Sequence, residues 1–201
     1  ANYDDMLTYP PYFAKEISPW LGKAARALGA RGKMLLSHCD GENEGLMDLV
    51  RDSGMHIAES ICPAPMTKVS LSEFYRRWSS KLTLWGGIPS TIVLPETSDA
   101  DFEAYLDELF KAVAPGRRML VGIADQVPPG AIFSRLQRIG ERVLAEGTLP
   151  LRAGAARPRS APMPAASADD RSPSDARAAA SDDEVFAEVR QDVAKGKHLA
   201  I

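Results

Sequence analysis

The sequence predicts an α/β fold built on a parallel sheet, and the evidence lies between residues 12 and 150. Short apolar runs typical of strands alternate there with longer segments whose apolar residues recur at helical spacing. Strands separated by helices of this length pair in the same direction, which indicates right-handed βα units. Four such strands make about half of a (β/α)8 barrel, whose usual length is roughly 250 residues. An open, doubly wound sheet is the competing architecture, but no G-x-G-x-x-G turn favours a dinucleotide fold.

Each predicted strand is an apolar run, and in chain order they are KMLLSH (33–38), MHIAES (55–60), KLTLWGG (81–87) and RRMLVGIAD (117–125). The helices around them are predicted from apolar stripes near residues 17–28, 46–50, 71–78, 97–114 and 131–147. Ser70 or Ser72 can cap the third helix, and the acidic first turn of the fourth suits the helix dipole. Gly54 and Pro115-Gly116 end the helices that precede them.

The composition divides the chain into three parts. Residues 1–150 form the predicted barrel part, and because they open in a loop we expect an upstream part of the fold to precede them. From Arg152 to Asp183 the chain has no aromatic residue, Leu, Ile or Val, so it buries too little apolar area to offset the entropy of ordering. We therefore expect a disordered linker over 151–183. Residues 184–201 regain apolar spacing and predict a short helix, interpreted as the start of a truncated second module.

The overall composition excludes several classes of protein. The chain is 45% hydrophobic and 25% charged, with a formal net charge of -3, as in ordinary globular proteins. The mild acidity gives no sign of the positively charged surface that binds nucleic acid. No apolar run reaches the roughly 20 residues that span a membrane. The two cysteines match no secreted disulfide framework. We expect a cytoplasmic protein that binds neither nucleic acid nor a membrane.

Polar and unusual residues collect where each predicted strand ends. In a parallel barrel these ends share one face, the face on which active sites lie. His38 and Asp40 also lie on the same side of an extended segment, so they could hold one ion. Nitrogen, oxygen and sulfur donors suffice for a zinc site, although no C-x-x-C or H-E-x-x-H pattern is present. The candidate residues are His38, Cys39, Asp40 and Gly41 after the first strand, Glu59 and Cys62 after the second, Gly86 and Gly87 after the third, and Asp125 after the fourth.

Each of these residues also has a purely structural interpretation. His38 could be a core histidine with satisfied hydrogen bonds, and Cys39 could be a small buried apolar residue. Asp40 and Asp125 could each cap a following helix. Gly86-Gly87 could simply make a tight turn. Only the convergence of these residues at one edge of the sheet favours a functional site.

At these residues the sequence resembles the uroporphyrinogen decarboxylase superfamily. This group also includes corrinoid-dependent methyltransferases that act on methanol, methylamines and methoxylated aromatics. The similarity covers about residues 2–145, in the family's order and spacing. It rests on the segments NYDDMLTYPPYFAKEISPWL, KMLLSHCDGENEGLMDLVRDSGMHIAES, LTLWGGIPSTIVLP and RRMLVGIADQVPPGAIFSRLQRIGERV.

The resemblance implies a TIM barrel, of which this chain holds the C-terminal part, with a pocket that faces a tetrapyrrole or a methyl donor. The methanol and methylamine branch carries a His-x-Cys-Gly zinc motif where this chain has His38-Cys39-Asp40-Gly41. It also carries a second Cys in the loop where this chain reads GIADQVPP. Because Asp40 replaces the first Cys and the second is absent, the chain is similar instead to the H-[SC]-D-G group, which includes O-demethylase-type methyltransferases. A site richer in carboxylates changes which ion binds.

The function that the resemblance implies is methyl transfer between a small donor and the cobalt of a corrinoid carried by a partner protein or module. The end of the chain resembles the opening helix of a corrinoid-binding cap, although a stray amphipathic helix is the simpler interpretation. One alternative is uroporphyrinogen decarboxylase itself, which needs no metal; another is an inactive, truncated half-barrel that associates with itself. The predicted roles are catalysis by His38, Asp40 and Asp125, substrate binding by Cys39, Glu59, Gly86 and Gly87, and zinc binding by His38, Asp40, Glu59, Asp125 and Cys62.

Overall fold

A computed structural model describes residues 3–151 as alternating helices and strands. The predicted linker, from residue 152 onward, and the predicted helix at 184–201 lie outside the described residues. Among the described residues, no helix has both the length and the apolar character needed to cross a bilayer. The helices are α1 (Pro10–Tyr12), α2 (Ser18–Gly29), α3 (Met47–Asp52), α4 (Leu71–Trp78), α5 (Asp99–Ala112) and α6 (Phe133–Glu146). A π-helical turn at Phe13–Ile17 joins α1 to α2, and 3-10 turns lie at Glu44–Leu46 and Ser90–Val93.

Four parallel strands form one sheet in the order β1 (Leu36–His38), β2 (Ile57–Ile61), β3 (Thr83–Ile88) and β4 (Met119–Ile123). The predicted α/β class and the parallel sheet are therefore confirmed. Each strand is followed by a helix, as the alternating pattern predicts. The strand β1 is shorter than predicted, because only its last three residues pair with β2. The sheet order follows the chain order, as expected for consecutive βα units.

The helices pack on one face of this sheet. Ala58 of β2 and Leu84 of β3 point to that face and are fully buried against Val50 of α3 and Phe74 and Trp78 of α4. The opposite face is different, because Leu36 and Leu120 there remain 43% and 47% exposed. Strand alternation explains the contrast, since neighbouring residues point to opposite faces of a sheet. Within residues 3–151 the sheet is thus covered on one side.

The predicted helix caps and apolar stripes explain where the helices lie. Ser70 caps α4 by accepting a hydrogen bond from the backbone N–H of Glu73, and Ser98 caps α5 in the same way from Asp101. The stripe of α5 is buried as its spacing predicts, with the Tyr105 side chain at the edge of the core. The buried members are Phe102, Leu106, Leu109, Phe110 and Val113.

Helix α6 contains an unexpected row of buried arginines. The sequence shows an ordinary amphipathic helix, yet three of its arginines are less than 9% exposed and pair with acidic residues of α5. The pairs are Arg135–Asp99 (2.7 Å), Arg138–Glu103 (2.6 Å), Arg142–Glu103 (2.7 Å) and Arg142–Asp107 (2.6 Å). Arg135 also donates to the carbonyls of Ile92, Leu94 and Thr97, so it fixes the segment that follows β3. Buried charges are tolerated where they are paired and hydrogen-bonded, and both terminal nitrogens of Arg135 donate in this way, although its Nε has no partner within the described residues.

Candidate functional site

The carboxyl ends of β1, β2 and β4 bring one histidine and three carboxylates together. His38 is the last residue of β1, and its Nδ1 lies 2.6 Å from Oε2 of Glu59 on β2. Its Nε2 lies 3.4 Å from Oδ2 of Asp40 and 3.6 Å from Oδ1 of Asp125. Register accounts for the first contact, because His38 and Glu59 are paired residues of adjacent parallel strands and share a face. The structure thus joins four of the residues that the sequence singled out.

The approach of Asp125 to His38 spans the width of the sheet. Because neighbouring strands lie about 4.8 Å apart, β1 and β4 would be separated by roughly 14 Å in a flat sheet. Asp125 follows β4 with a φ of 60°. Its backbone N–H donates to the hydroxyl of Ser60, a buried residue of β2 whose own φ is 63°. Left-handed backbone is unusual for Ser and more common for Asp, so Ser60 is the strained position of the two that hold the acid near His38.

His38, Asp40 and Asp125 form a group suited to a cation. One ligand atom from each residue lies within 4.8 Å of the other two. Asp40 Oδ1 is buried and has no hydrogen-bond partner within the described residues, and a buried polar oxygen without a partner is costly. Glu59 is not in this group, because it lies on the other ring nitrogen. A carboxylate on Nδ1 orients the ring of a histidine ligand and leaves Nε2 to face an ion.

The electrostatics favour a positive charge at this site. Burial opposes the imidazolium form, but the hydrogen bond to Glu59 and the negative charges of Asp40 and Glu59 outweigh burial and raise the pKa of His38. Three carboxylates around one imidazole leave the cluster negative even when His38 is protonated. Either a proton on His38 or a metal ion among the ligand atoms offsets part of this charge. The cluster can therefore act as a proton donor or as a cation site.

The two cysteines take different positions relative to this cluster. Cys39 follows His38 in an extended segment, so it points to the helix-covered face, where it is fully buried and its Sγ donates to the carbonyl of Ser37. This position separates it from the surface that a substrate would reach. Cys62 is 4% exposed, and burial, together with the charges of Asp40 and Asp125, raises its pKa to about 11. Its thiol lies near the carboxylates but stays protonated at neutral pH.

The twin glycines at the end of β3 allow close packing of neighbouring strands. A Cβ on Gly86 would lie 2.6 Å from the backbone nitrogen of Ile61, and Gly86 also has a φ of 129°. A Cβ on Gly87 would lie 2.8 Å from Cε of Met119. Only glycine fits such positions without displacement of the neighbour. The geometry gives these residues a packing role beside the site, and the carbonyl of Gly87 accepts a 2.5 Å hydrogen bond from Tyr105.

A segment near the start of the chain holds the loop that carries Asp40. The backbone N–H of Glu42 donates to Asp4, and that of Gly45 donates to Asp5. A Cβ on Gly41 would lie 2.8 Å from the carbonyl oxygen of Tyr3. Because the backbone of Tyr3 passes so close to this position, only glycine fits at residue 41. In the motif H-C-D-G, His38 and Asp40 thus face the site. Cys39 packs in the core, and Gly41 allows the backbone of Tyr3 to approach closely.

Sequence reasoning missed three residues that shape the site. Asn43 is fully buried and donates to the carbonyls of Cys39 and Gly41, which fixes the turn after β1. Ser60 holds Asp125 by accepting a hydrogen bond from its backbone N–H. The Tyr105 hydroxyl is buried near Cys62, and burial first, then the charge of Cys62, raises the pKa of Tyr105. A weak signal exists for Asn43, since it is a turn-forming residue close to His38. For the other two, no local pattern indicates the contact.

The class that the fold and site define is an α/β protein with a parallel sheet and a histidine–carboxylate cluster at its carboxyl edge. No protein-family model matches the chain. No curated protein matches it either.

Proposed function

We propose that this chain is the C-terminal part of a TIM barrel of the uroporphyrinogen decarboxylase superfamily, and that the barrel carries out corrinoid-dependent methyl transfer of the O-demethylase type. The observation that carries the proposal is the convergence of His38, Asp40 and Asp125 at the carboxyl edge of a parallel sheet. This edge is where catalytic residues lie in barrels. The consecutive strand order and the helices on one side also favour a barrel over a doubly wound sheet, which has helices on both faces.

The proposed metal is zinc, held by Nε2 of His38 and by the carboxylates of Asp40 and Asp125. The residues fit a divalent cation, since imidazole and carboxylate are suitable ligands and the partnerless Oδ1 of Asp40 faces no competing donor in the described part of the chain. Bound zinc would supply Lewis acidity, which activates a thiolate or assists an oxygen leaving group. The carboxylate of Glu59 would accept a hydrogen bond from Nδ1–H and keep the ring oriented.

Other residues of the chain would position the metal ligands and shape the site. Ser60 holds Asp125 in reach of the ion through the backbone, and Asn43 holds the turn that carries Asp40. Protonated Cys62 would serve as a packing residue instead of a thiolate ligand at neutral pH, because burial and two nearby carboxylates raise its pKa. A small methyl donor would approach from the carboxyl edge of the sheet, where the mouth of the barrel would lie. A corrinoid on a partner protein or module would close the mouth of the site.

Zinc binding and methyl transfer test this proposal directly. Protein stripped with a chelator should bind about one zinc ion per chain, and His38→Ala or Asp125→Asn should weaken that binding at least tenfold. Glu96→Gln is the matched control, since Glu96 is an exposed carboxylate away from the cluster. Zinc-loaded protein should transfer methyl groups from a methoxylated aromatic to reduced cobalamin. If the wild-type protein bound no zinc, the proposed metal site would be wrong.

A decarboxylase is the second candidate, and the raised pKa of His38 favours it. A histidine whose imidazolium form is favoured by neighbouring carboxylates can deliver a proton to a carbanion, which is the general-acid step that decarboxylation needs. This candidate predicts coproporphyrinogen formation from uroporphyrinogen by metal-free protein. A chain that shows neither reaction would instead be an inactive part of a barrel.

A further inference from the structure

The pairing of β1 with β2 begins with a hydrogen bond to a side chain. The backbone N–H of Leu35, the residue before β1, donates to Nδ1 of His56 at 2.9 Å. The carbonyl of Leu35 accepts from the backbone N–H groups of His56 and Ile57, as in an ordinary ladder. In a regular parallel ladder, the N–H and the carbonyl of such a residue both bond to the neighbouring backbone. Here an imidazole nitrogen takes the place of a backbone carbonyl.

His56 lies where the amino ends of three strands meet. It precedes β2, its ring bonds to Leu35 ahead of β1, and its carbonyl accepts from the backbone N–H of Thr83 at the start of β3. Only Leu36–His38 of β1 pair with β2, so the bond to the ring is one of few that join the two strands. The side chain of Leu35 packs against the core, which keeps its N–H beside the ring.

The direction of this hydrogen bond determines the charge of the ring. Nδ1 accepts a hydrogen bond only while it carries no proton, so the ring of His56 is neutral and its proton lies on Nε2. In the imidazolium form both ring nitrogens are donors, and Nδ1–H would face the N–H of Leu35. Two donors do not bond to each other, and a polar group that loses its partner costs free energy. Protonation of the ring and the first β1–β2 bond therefore exclude each other.

The charged groups around His56 do not favour an imidazolium. Lys33 precedes β1 and Lys81 precedes β3, so both neighbouring strands begin next to a cation. Helix α3, which ends shortly before His56, contributes Arg51 and Asp52. The carboxylate of Asp52 already accepts hydrogen bonds from Arg51 and Lys81. Within the part of the chain that the structure describes, His56 forms no ion pair.

We propose that His56 is a pH switch: the neutral ring holds the start of β1 on β2, and the protonated ring releases it. The bond is present above about pH 6.5, where an imidazole is ordinarily neutral, and is lost as the pH falls below that value. The stability that it contributes is therefore present at high pH and lost in acid. This inference does not rest on zinc binding or methyl transfer.

Amide hydrogen exchange of the full chain, followed by NMR, tests the switch at Leu35 itself. The protection factor of the Leu35 N–H, which corrects for the intrinsic pH dependence of exchange, should fall about fivefold from pH 7.5 to pH 5.0, as expected for loss of one hydrogen bond. The N–H of Leu84 is the internal control, because it donates to the backbone carbonyl of Arg118 and should keep its protection. Equal protection of Leu35 at the two pH values overturns the proposal.

Two substitutions at position 56 separate the acceptor from the titrating ring. His56→Asn places an amide oxygen where Nδ1 lies, since both atoms are bonded to Cγ, and this oxygen does not titrate near neutral pH. Leu35 should then stay protected at both pH values, whereas His56→Leu should leave it poorly protected at both. His38→Ala removes the other titrating ring of β1 and should keep the pH response of Leu35. A response that persists in His56→Asn, or disappears in His38→Ala, overturns the proposal.

The tautomer of His56 gives a further measurement, which needs no variant. The chain has three histidines, so the ring signals are few enough to assign. The nitrogen-15 shifts of the His56 ring at pH 7.5 should show an unprotonated Nδ1 and a proton on Nε2. A proton on Nδ1 at this pH overturns the proposal. Zinc binding, measured separately, reports on the proposed function and leaves this result unaffected.

Discussion

Replacing Glu59 with glutamine would show whether the partner on one nitrogen of His38 determines the role of the other nitrogen. Oε2 of Glu59 lies 2.6 Å from Nδ1, and the two side chains are only 22% and 30% exposed. The carboxylate accepts a hydrogen bond from Nδ1–H, which leaves the lone pair of Nε2 directed towards Asp40 and Asp125. A glutamine amide can donate to Nδ1 instead, so that Nε2 carries the proton and is no longer a ligand.

The geometry sets the size of the expected effect. A hydrogen bond with a charged partner contributes about 1.5–3 kcal/mol and a neutral one about 0.5–1.5 kcal/mol, so the Glu59→Gln exchange weakens the hold on imidazolium by about 1 kcal/mol in this partly exposed pair. Loss of such a carboxylate lowers metal affinity about 10–100-fold. Because the folded state raises the pKa of His38, its stabilisation is fully present below about pH 6.5 and is lost as the pH rises through the folded pKa.

Calorimetric titration with zinc and urea unfolding at two pH values measure these effects. Glu59→Gln should bind zinc at least tenfold more weakly, and its free energy of unfolding should fall more at pH 5.5 than at pH 8.5. Glu44→Gln is the control, because Glu44 is exposed and its contact with Lys68 is a long 3.5 Å. Wild-type zinc affinity, together with an equal loss of stability at both pH values, would refute the assigned role of Glu59.

Three further predictions concern the scaffold and the thiol. Arg135→Met should lower the free energy of unfolding by about 3–5 kcal/mol in urea, since it leaves a carboxylate and three carbonyls without their donor, whereas Arg76→Met on the surface should cost less than about 1 kcal/mol. Gly86→Ala should cost at least about 2 kcal/mol in the same assay, because its φ is 129° and the new Cβ meets the backbone of Ile61; a neutral result would show that the strands can separate there. Alkylation of Cys62 by iodoacetamide should be slow at pH 8 and should accelerate as the pH rises towards about 11, since burial and nearby carboxylates raise its pKa; fast labelling at pH 7 would contradict this.

The fold was largely predictable because its determinants are local. The apolar stripe of α5 and the capping residue Ser70 were predicted from neighbouring residues, and the structure has the helices at those places. The row of buried arginines in α6 was not predictable, because nothing within that helix shows that α5 presents acids opposite it. Long-range complementarity of this kind becomes visible only when two elements are packed together.

The site was predictable in its members but only partly in their arrangement. Parallel strands place His38 and Glu59 at one edge, and the alternation of side chains along a strand already indicates that Cys39 points away from His38. The side of the ring that Glu59 occupies depends on a rotamer, which the sequence does not specify. The contact with Asp125 depends on the left-handed conformations of Ser60 and Asp125 and on the path of the chain after β4, which no local sequence pattern specifies.

The proposed ion would join two strands that are not neighbours in the sheet. His38 lies on β1 and Asp125 follows β4, so the two ligands come from the first and the last strand of the described sheet. An ion held between Nε2 of His38 and the carboxylate of Asp125 draws β1 and the segment after β4 together. Because linkage is reciprocal, any change that moves this segment relative to β1 should alter zinc affinity, and bound zinc should resist that change by the same factor. The distance that carries this coupling is 3.6 Å in this structure.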